Sequence, residues 1–497
     1  MEKNEMELTR MPSFRFAMIR IPSFLAMKYL LIFAAAPATD AMADDLPKAE
    51  TVLGAMKRAT TFYRTHLSVD GGYASTWTLD PVVGKTEHKE GPTVFSIQPH
   101  GTTTVGLVLL RAWQATGEKE FLKGAIESGR ALARCQLSSG GWTSSFDFDP
   151  KFVKNYHLRQ DLDAGDKDPG KRRFRSTLDD NKTQSALLLL LELAALPETK
   201  TNQEIQQAYA FGINSLIAAQ RSDGGWPQQF EWPADPDKPV LEASYPKTWP
   251  REWPKENYMH FVTLNDNNLY HIMVLLLRAR ELTNSESAIE SAKRLGDFLL
   301  RAQMPEPQPA WAQQYNDKMH PAWARKFEPP AICTTESLGA AEALLELWVA
   351  TEEAKYRDVI EPALNWLESS QLENGNWARF YELQTNRALY CEADTYLVTH
   401  DDSNLPTHYA FQIDGIDRKI ESLRKRLATT PEELSKNRKP KRDPEELAEL
   451  ARSLRGKVRN ALKTQHHDGY WIREERIDAR EFVRQMTVLS EYFRAVR

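Results

Sequence analysis

The stretch Gln220-Arg221-Ser222-Asp223-Gly224-Gly225-Trp226 decides the fold, because variants of it recur along the chain. A variant starts at a glutamine, passes through a short turn and ends at an aromatic residue. Repetition of this kind is typical of architectures that stack one supersecondary unit several times. The other copies are Gln136–Trp142, Gln371–Trp377 and Gln465–Trp471, together with Asp70–Tyr73, which lacks the glutamine, and Gln303–Trp311, which has prolines in place of the glycines.

The segments around these copies have the periodicity of helices. An amphipathic segment ends near each glutamine, and a segment richer in Leu and Ala follows most copies, as expected for a helix buried on most sides. Glycine in the turn accepts a positive φ and suits the end of a helix. The unit is therefore an outer helix, a turn and an inner helix, and six such hairpins in a closed ring predict an all-α fold, the barrel-like α/α toroid. The predicted inner helices include 103–113, 185–195, 269–277 and 338–348.

Composition limits the classes of protein that the chain can belong to. With 497 residues, 41% of them hydrophobic, the chain has enough apolar material for one large core. The net charge of −5 argues against nucleic acid as the main partner. Cys135, Cys333 and Cys391 are odd in number and far apart, which favours buried or free thiols and leaves one disulfide as an alternative. Residues 413–460 are rich in Lys, Arg and Glu and predict a charged helical insertion near the C-terminus.

The N-terminal region has the features of an export signal. Met27-Lys28 is followed by the apolar run 29–36 and by Ala41-Met42-Ala43, a small-x-small cleavage site. The run is far shorter than the ~20 residues that a membrane helix needs. We therefore predict an upstream extension and signal peptide in residues 1–43, a toroid catalytic domain in residues 44–497, and a secreted or periplasmic protein that has no membrane partner after cleavage.

Acidic residues occur where the predicted inner helices begin. Asp179 and Asp180 precede the second of these helices, Asp266 the third and Glu336 the fourth. Each acid alone is explained by helix capping and the helix dipole. In a ring of hairpins, however, the starts of the inner helices meet at one face, so the carboxylates are expected to converge there. Clustered carboxylate oxygens suit calcium, whereas zinc is disfavoured because the chain has no His or Cys pairing with zinc spacing.

Several motifs follow one another in an order that resembles the pectate lyases of polysaccharide lyase family 10. The similarity extends over about residues 49–390 and is strongest in Asp223–Pro227 followed by Phe261–Asp266. The further matching elements are Ser176–Asp179, Trp311–Tyr315, Ala324–Glu328, Glu336-Ser337, Trp377–Glu382 and Thr385–Arg387. The chain departs from the family pattern at Asp180, where the family often has Asn, at Asn267, where it often has Asp, and at Cys333-Thr334-Thr335, where it favours a Ser-Gly-containing run.

The resemblance implies cleavage of polygalacturonate, an acidic polysaccharide, by calcium-assisted β-elimination in a monomeric enzyme. It places the catalytic base on Arg325 and the calcium ligands on Asp179 and Asp266. An arginine is a poor base because its usual pKa lies above about 12, so an alkaline optimum is expected. The substrate-binding residues implied by the resemblance are Arg379, Arg387, Trp226 and Glu336.

Two other functions fit the same residues. An inverting glycoside hydrolase would use two carboxylates about 6.5–9.5 Å apart, and Asp179 and Asp266 are the candidates for that pair. A non-catalytic carbohydrate-binding toroid would use exposed tryptophans, Trp232, Trp249 and Trp253, as stacking platforms. The product distinguishes these functions, because elimination leaves an unsaturated sugar that absorbs ultraviolet light and hydrolysis does not.

Overall fold

The repeated glutamine-to-tryptophan phrase forms the turn between an outer and an inner helix, as predicted. The computed structural model describes residues 46–231, 233–438 and 442–497, so the predicted signal peptide and the stacking candidate Trp232 lie outside the described residues. The elements that follow belong to the unit Pro47–Arg497. Among the helices of this described part, none combines the length and the apolar character needed to cross a bilayer.

The α-helices of the described chain comprise the outer and inner helices of the hairpins and shorter helices in the connecting segments. They are α1 (Ala49–Phe62), α2 (Thr102–Thr116), α3 (Lys119–Arg134), α4 (Pro150–Val153), α5 (Arg159–Asp163), α6 (Lys182–Ala194), α7 (Gln203–Ala218), α8 (Asn268–Thr283), α9 (Glu286–Ala302), α10 (Thr334–Thr351), α11 (Ala354–Asp358), α12 (Ile360–Ser369), α13 (Ile416–Leu427), α14 (Pro431–Arg438), α15 (Pro444–Thr464) and α16 (Ala479–Ala495).

Short antiparallel strands lie in the segments that connect the helices. They are β1 (Thr76–Trp77), β2 (Gly84–Lys85), β3 (Glu90–Gly91), β4 (Val94–Ser96), β5 (Ser145–Asp147), β6 (Ser176–Thr177), β7 (Gln229–Phe230), β8 (Val262–Thr263), β9 (Gln314–Tyr315), β10 (Ile332–Cys333), β11 (Trp377–Ala378), β12 (Phe380–Tyr381), β13 (Ala388–Cys391), β14 (Val398–Thr399), β15 (Gln412–Ile413), β16 (Ile472–Arg473) and β17 (Arg476–Asp478).

The unit Pro47–Arg497 is the predicted α/α toroid. Inner helices α2, α6, α8 and α10 pack side by side, and α16 packs against both α1 and α2, which closes the ring. Strand β17 pairs with β1 at the same junction. The inner helices are the more buried set, as their composition predicted: α6 buries almost every residue from Lys182 to Leu193, whereas α3 buries one face.

The glutamine of the phrase joins one unit to the next. Gln220 Nε2 donates to the carbonyl of Gly224 in its own turn, at 2.9 Å, and to the carbonyl of Ser291 in the following outer helix α9, at 3.0 Å. Gln136 and Gln465 repeat this pair of bonds, and Gln465 reaches α1 across the closure of the ring. A buried amide that satisfies two backbone carbonyls stabilises the junction because neither acceptor is left unpaired.

The tryptophan of the phrase fastens the turn to the outer helix that precedes it. Trp226 is fully buried, and its indole N–H donates to the carbonyl of Leu216 at 2.8 Å. Such a side chain combines a large apolar area with one satisfied donor, and its truncation to Ala typically costs about 3–5 kcal/mol. The same bond to the last turns of an outer helix is made by Trp142, Trp311, Trp377 and Trp471.

The glycine of the turn is required where two units touch. Gly224 has φ +92°, and a Cβ placed on it would lie 2.1 Å from the carbonyl oxygen of Arg294 in the next outer helix. Only glycine accepts both the backbone conformation and the close approach. The turn of the fifth unit differs: Gly375 has φ +84°, but no described atom outside its chain neighbours lies within 4 Å of a Cβ at that position.

Three segments add detail to the predicted ring of hairpins. The polar segment 146–175 contains the short helices α4 and α5. The fifth unit carries strands β11 to β15, of which β12, β13 and β14 form a sheet with β10 of the fourth unit. Of the segment 413–460, α13 packs on α10 and α12 and α14 packs on α10, whereas α15 occupies the outer-helix position before the last turn. The three cysteines are buried free thiols.

Candidate active site

Two inner helices begin with the same local structure. The sequences Thr177-Leu-Asp-Asp-Asn181 and Thr263-Leu-Asn-Asp-Asn267 each form a short 3-10 turn before α6 and α8. Asp180 adopts φ 49° and ψ 34°, and Asp266 adopts φ 51° and ψ 32°. Left-handed backbone is uncommon outside glycine and tends to be retained at functional sites. The twin turns therefore place Asp180 and Asp266 in equivalent positions of adjacent units.

The acids converge as the arrangement of inner helices predicted. Carboxylate oxygens of Asp179, Asp180 and Asp266 all lie within 4.8 Å of one another. Neighbouring amides hold the cluster: Gln228 Nε2 donates to Asp179 Oδ1 at 2.9 Å, and Gln98 Nε2 donates to Asp180 Oδ2 at 3.1 Å. We call Asp179, Asp180 and Asp266 the acidic cluster.

A lysine already lies against the acidic cluster. Lys182 Nζ donates to Asp179 Oδ2 at 3.1 Å and to Asp180 Oδ2 at 3.2 Å, and its side chain is 6% exposed. Burial lowers the pKa of Lys182, but the two carboxylates more than offset this effect, so the net pKa is raised and the ammonium is charged. With every carboxylate ionised, the cluster and Lys182 together keep a negative charge.

Asp266 is the member of the cluster that is open to solvent. The surrounding protein still displaces much of its water, and this desolvation, together with the charges of Asp180 and Asp179, raises the pKa of Asp266 to about 7. Three mutually repelling carboxylates at an open surface fit a divalent cation, and oxygen donors of this kind suit calcium. A cation bound there would offset the repulsion among the three carboxylates, which contributes to the raised pKa of Asp266.

Arg325 lies in the irregular segment between α9 and α10 and is paired with Glu328. Its Nε donates to Glu328 Oε2 at 2.8 Å, and its Nη2 donates to Oε1 at 2.5 Å. Burial lowers the pKa of Arg325, but the hydrogen bonds and charge of Glu328 outweigh burial, so the net pKa is raised. Arg325 also lies close enough to Asp266 to lower the pKa of that carboxyl.

Two tryptophan side chains hold the segment that carries Arg325. Trp253 Nε1 donates to the carbonyl of Ala324, and Trp323 Nε1 donates to the carbonyl of Pro250, both at 2.8 Å. These reciprocal bonds tie residues 250–253 to residues 323–324. Trp253 is therefore half-buried in a structural contact, and Trp249 is half-buried with the guanidinium of Arg251 4.0 Å from its ring centroid.

Arg379 and Glu336 form the next part of the site. The Arg379 guanidinium lies 4.6 Å from the ring centroid of Tyr409 and donates to the carbonyl of Ala410 at 2.7 Å. Burial raises the pKa of the Glu336 carboxyl, and the positive charge of Arg379 counteracts part of this increase. Tyr409 also donates to Glu328 Oε1 at 3.0 Å. One tyrosine thus links the environments of Arg325 and Arg379.

The structure brings together five of the seven predicted site residues. Asp179, Asp266, Glu336, Arg325 and Arg379 interact electrostatically with one another or with shared neighbours.

The other two predicted residues lie elsewhere. Trp226 was predicted to bind substrate, but its side chain has no exposed surface and fastens the turn of the third unit. Arg387 is exposed on the turn between β12 and β13, and among the described residues it makes none of the ion pairs seen around the acidic cluster.

Lys182, Gln98 and Tyr409 were not singled out from the sequence. They come from an inner helix, from the loop before α2 and from the loop before β15. Asp180 had a detectable signal, because the repeated Thr-Leu-x-Asp-Asn pattern aligns it with Asp266. The remaining three carry no comparable repeat, so only the folded chain shows that Lys182 and Gln98 bond the acidic cluster and that Tyr409 contacts Glu328 and Arg379.

Comparisons with known proteins bear on this site. Among solved structures, a mutant family 10 polysaccharide lyase from Cellvibrio cellulosa, in complex with trigalaturonic acid, is 18% identical, covers 66% of this chain and 98% of its own, and has a TM-score of 0.45. A family 76 glycoside hydrolase (mannosidase) from Bacteroides thetaiotaomicron is 11% identical, covers 90% of this chain and 98% of its own, and has a TM-score of 0.43. No curated protein sequence matches the chain.

A family model gives the assignment. The model described as pectic acid lyase matches residues 148–376, which contain Asp179, Asp266, Arg325 and Glu336. The resemblance predicted from the motifs is thereby confirmed, and with it the broad prediction of a polysaccharide lyase. Over residues 148–376 this chain is therefore similar to the pectic acid lyase family.

Proposed function

We propose that the protein is a pectate lyase that cleaves polygalacturonate by β-elimination. The observation that carries the proposal is the meeting of the acidic cluster with Arg325 inside the stretch that matches the pectic acid lyase family. The substrate is an anion, so its cleavage requires positive charge at the site. A carboxylate cluster that can bind a cation supplies one such charge, and the neighbouring guanidinium supplies another.

In this reaction a base removes the proton on the carbon next to the uronate carboxylate. A carbon–carbon double bond forms, the bond to the glycosidic oxygen breaks, and the leaving oxygen takes a proton from water. Arg325 is the proposed base, and Glu328 fixes the direction of its guanidinium. Because this ion pair favours the charged guanidinium, proton abstraction needs alkaline pH or a weakening of the pair when substrate arrives.

Asp179, Asp180 and Asp266 are the proposed calcium ligands, and the negative charge that they keep beside Lys182 fits a divalent ion. When bound, calcium would act as a Lewis acid that neutralises the uronate carboxylate. Asp266 has to be ionised to serve as a ligand, so binding at neutral pH should release part of a proton. Arg379, half surrounded by protein beside Tyr409, is the proposed clamp for a second substrate carboxylate.

We further propose that the protein is exported and works as a monomer on an extracellular or periplasmic acidic polysaccharide. The support for export is the sequence pattern in residues 27–43.

One assay tests the proposed function. Purified protein is incubated with polygalacturonate, with calcium or with excess chelator, while ultraviolet absorbance and reducing ends are both followed. Calcium-dependent growth of ultraviolet absorbance is the expected result. Reducing ends without absorbance would show hydrolysis, and binding without either product would show a non-catalytic toroid.

The distances in the acidic cluster disfavour the hydrolase. An inverting pair needs about 6.5–9.5 Å between its carboxyl groups to admit a water molecule. Carboxylate oxygens of Asp179 and Asp266 lie within 4.8 Å of each other. The carboxylate of Asp179 is also paired with the ammonium of Lys182. That spacing suits a shared cation better than an acid and a base acting on opposite faces of a sugar.

A further inference from the structure

A basic groove leads away from the acidic cluster. Asp179 and Lys182 line a pocket of about 490 Å³ together with Tyr156, Arg172 and Arg173. The same three residues line a second pocket of about 690 Å³. The two pockets therefore form one continuous surface, which begins at the proposed cleavage site and extends across the segment between β5 and β6.

The second pocket is strongly positive. Its described lining includes Lys89, Lys154, Lys171, Arg172 and Arg173, and no carboxylate is among the described residues that line it. Arg172 is neutralised by Asp166, at 2.7 Å. The described part of the chain gives the other four side chains no ion pair, so their charges face the groove and solvent. We call Lys89, Lys154, Lys171 and Arg173 the basic groove.

An aromatic side chain accompanies these charges. Phe152 is 38% exposed, which is unusual for so large an apolar group, and Lys89 Nζ lies 5.3 Å from its ring centroid. Tyr156, which is buried, supports the same wall. Polysaccharide sites commonly combine a flat apolar surface with a few polar groups, and here the charged groups among the described lining residues are all cationic.

The walls of the groove are held by the backbone rather than by the cations themselves. His157 N–H donates to the carbonyl of Arg173 at 2.9 Å, and Arg173 N–H donates to the carbonyl of Asn155 at 2.7 Å. His157 is buried, and its imidazole lies 2.7 Å from the hydroxyl of Ser138. Since these bonds fix the segment, Lys154 and Lys171 are free to serve a ligand.

We propose that the basic groove binds the carboxylates of an acidic polysaccharide chain that extends beyond the acidic cluster, with Phe152 against a sugar ring. The proposal rests on the proposed function for the identity of the polymer. Charge complementarity and the continuity of the groove with the acidic cluster support this binding mode. A uronate polymer carries one carboxylate per sugar, so a row of unpaired cations matches it along its length.

The test compares a short and a long ligand. Lys154→Gln/Lys171→Gln removes two exposed charges that line only the second pocket. The matched control, Lys119→Gln/Lys200→Gln, removes two exposed lysines at the opposite end of the hairpins, where inner helices α2 and α6 end. Calorimetry measures binding of trigalacturonate and of a long polygalacturonate fragment to wild type and both variants, at two salt concentrations, and product absorbance is read in parallel.

The groove variant should bind the long fragment about fivefold more weakly and with a shallower salt dependence, as expected for the loss of two partly exposed ion pairs. Its affinity for trigalacturonate and all affinities of the control should stay at the wild-type level.

An unchanged affinity of the groove variant for the long fragment, or an equal loss in the control, would overturn the basic groove alone. Tighter binding of RNA than of polygalacturonate by wild type would overturn the assignment of its ligand. A length-dependent loss in the groove variant without unsaturated product would support the groove and reject the lyase.

Discussion

Glu328 receives two parallel hydrogen bonds from the guanidinium of Arg325 and one from the Arg325 backbone N–H, and Tyr409 donates a fourth to the same carboxylate. This arrangement orients the guanidinium but also stabilises its charged form. The proposed base is therefore held in place by a group that opposes its deprotonation. The first two predictions separate these effects.

Removal of the guanidinium should abolish most activity. Arg325→Ala is expected to lower turnover on polygalacturonate by at least ~10²-fold, the low end for loss of a general base. Arg325→Lys should also fail, because an ammonium cannot reproduce the planar fork. Because the Glu328 carboxylate is 2% exposed and loses its guanidinium partner in Arg325→Ala, the melting temperature is measured as well and turnover is normalised to folded protein. A large loss of stability with near-normal turnover per folded molecule would instead show that Arg325 is structural.

Weakening the pair should move the pH profile. In Glu328→Gln the carboxylate that raises the pKa of Arg325 is gone, so its neutral form should become available at lower pH. The alkaline rise in turnover is expected to shift toward neutral pH, even if maximal turnover falls because orientation is lost. Initial rates across the pH range, normalised to folded protein, give the measurement. A profile that keeps its wild-type midpoint would exclude Arg325 as the titrating group.

Lys182 should compete with calcium. Its ammonium occupies oxygens of Asp179 and Asp180, so Lys182→Met is expected to tighten calcium binding by roughly tenfold through removal of a like charge. Asp266→Asn should weaken binding. Calorimetric titration of calcium into substrate-free protein measures both changes without an activity assay. Equal affinity in wild type and Lys182→Met would place the calcium site away from the acidic cluster.

The calcium-free protein should lose stability as pH rises. The pKa of Asp266 is raised to about 7 in the folded chain, compared with about 3.9 for an unfolded aspartate. Between these values the folded state binds more protons, so the free energy of unfolding falls with increasing pH. The free energy of unfolding should fall with pH less steeply than expected for the release of one whole proton, because Asp266 is exposed and its charge is screened by solvent. Urea midpoints in chelator should show this decline, and Asp266→Asn should flatten it.

Two glutamines of the same phrase should differ in their effect on stability. Gln220 joins its own turn to α9 through two carbonyls and also accepts a hydrogen bond from Ser291. Gln371 is exposed, and among the described residues its side chain bonds only its own turn, at Gly375. Gln220→Ala should therefore cost about 1–3 kcal/mol, from unsatisfied buried carbonyls, and Gln371→Ala less than about 1 kcal/mol. Chemical unfolding of the two variants provides matched measurements, and equal losses would contradict the joining role.

The fold could be predicted because the repeated stretch from glutamine to tryptophan marks the turn of each helical hairpin. Glutamine, glycine and tryptophan each make a contact that repeats from unit to unit, so their spacing indicated hairpins and a ring. The convergence of Asp179 and Asp266 followed from the same logic. The prediction that Trp226 binds substrate was wrong, because the sequence does not distinguish a buried structural tryptophan from an exposed tryptophan that binds a ligand. The pairing of Lys182 with two carboxylates depends on side-chain direction at the start of α6, which periodicity does not report.

The open space beside Gly375 makes the fifth turn of the ring different from the other turns that contain glycine, at Gly71, Gly140, Gly224 and Gly469. Where Gly224 wedges against a neighbouring helix, thermal opening must break that contact, but the fifth turn has no such contact among the described residues. We therefore expect local opening of the ring to be most frequent at the fifth turn. The same turn is the natural position at which to cut and re-link the chain, because a circular permutant opened at 373–376 would leave every other wedge intact.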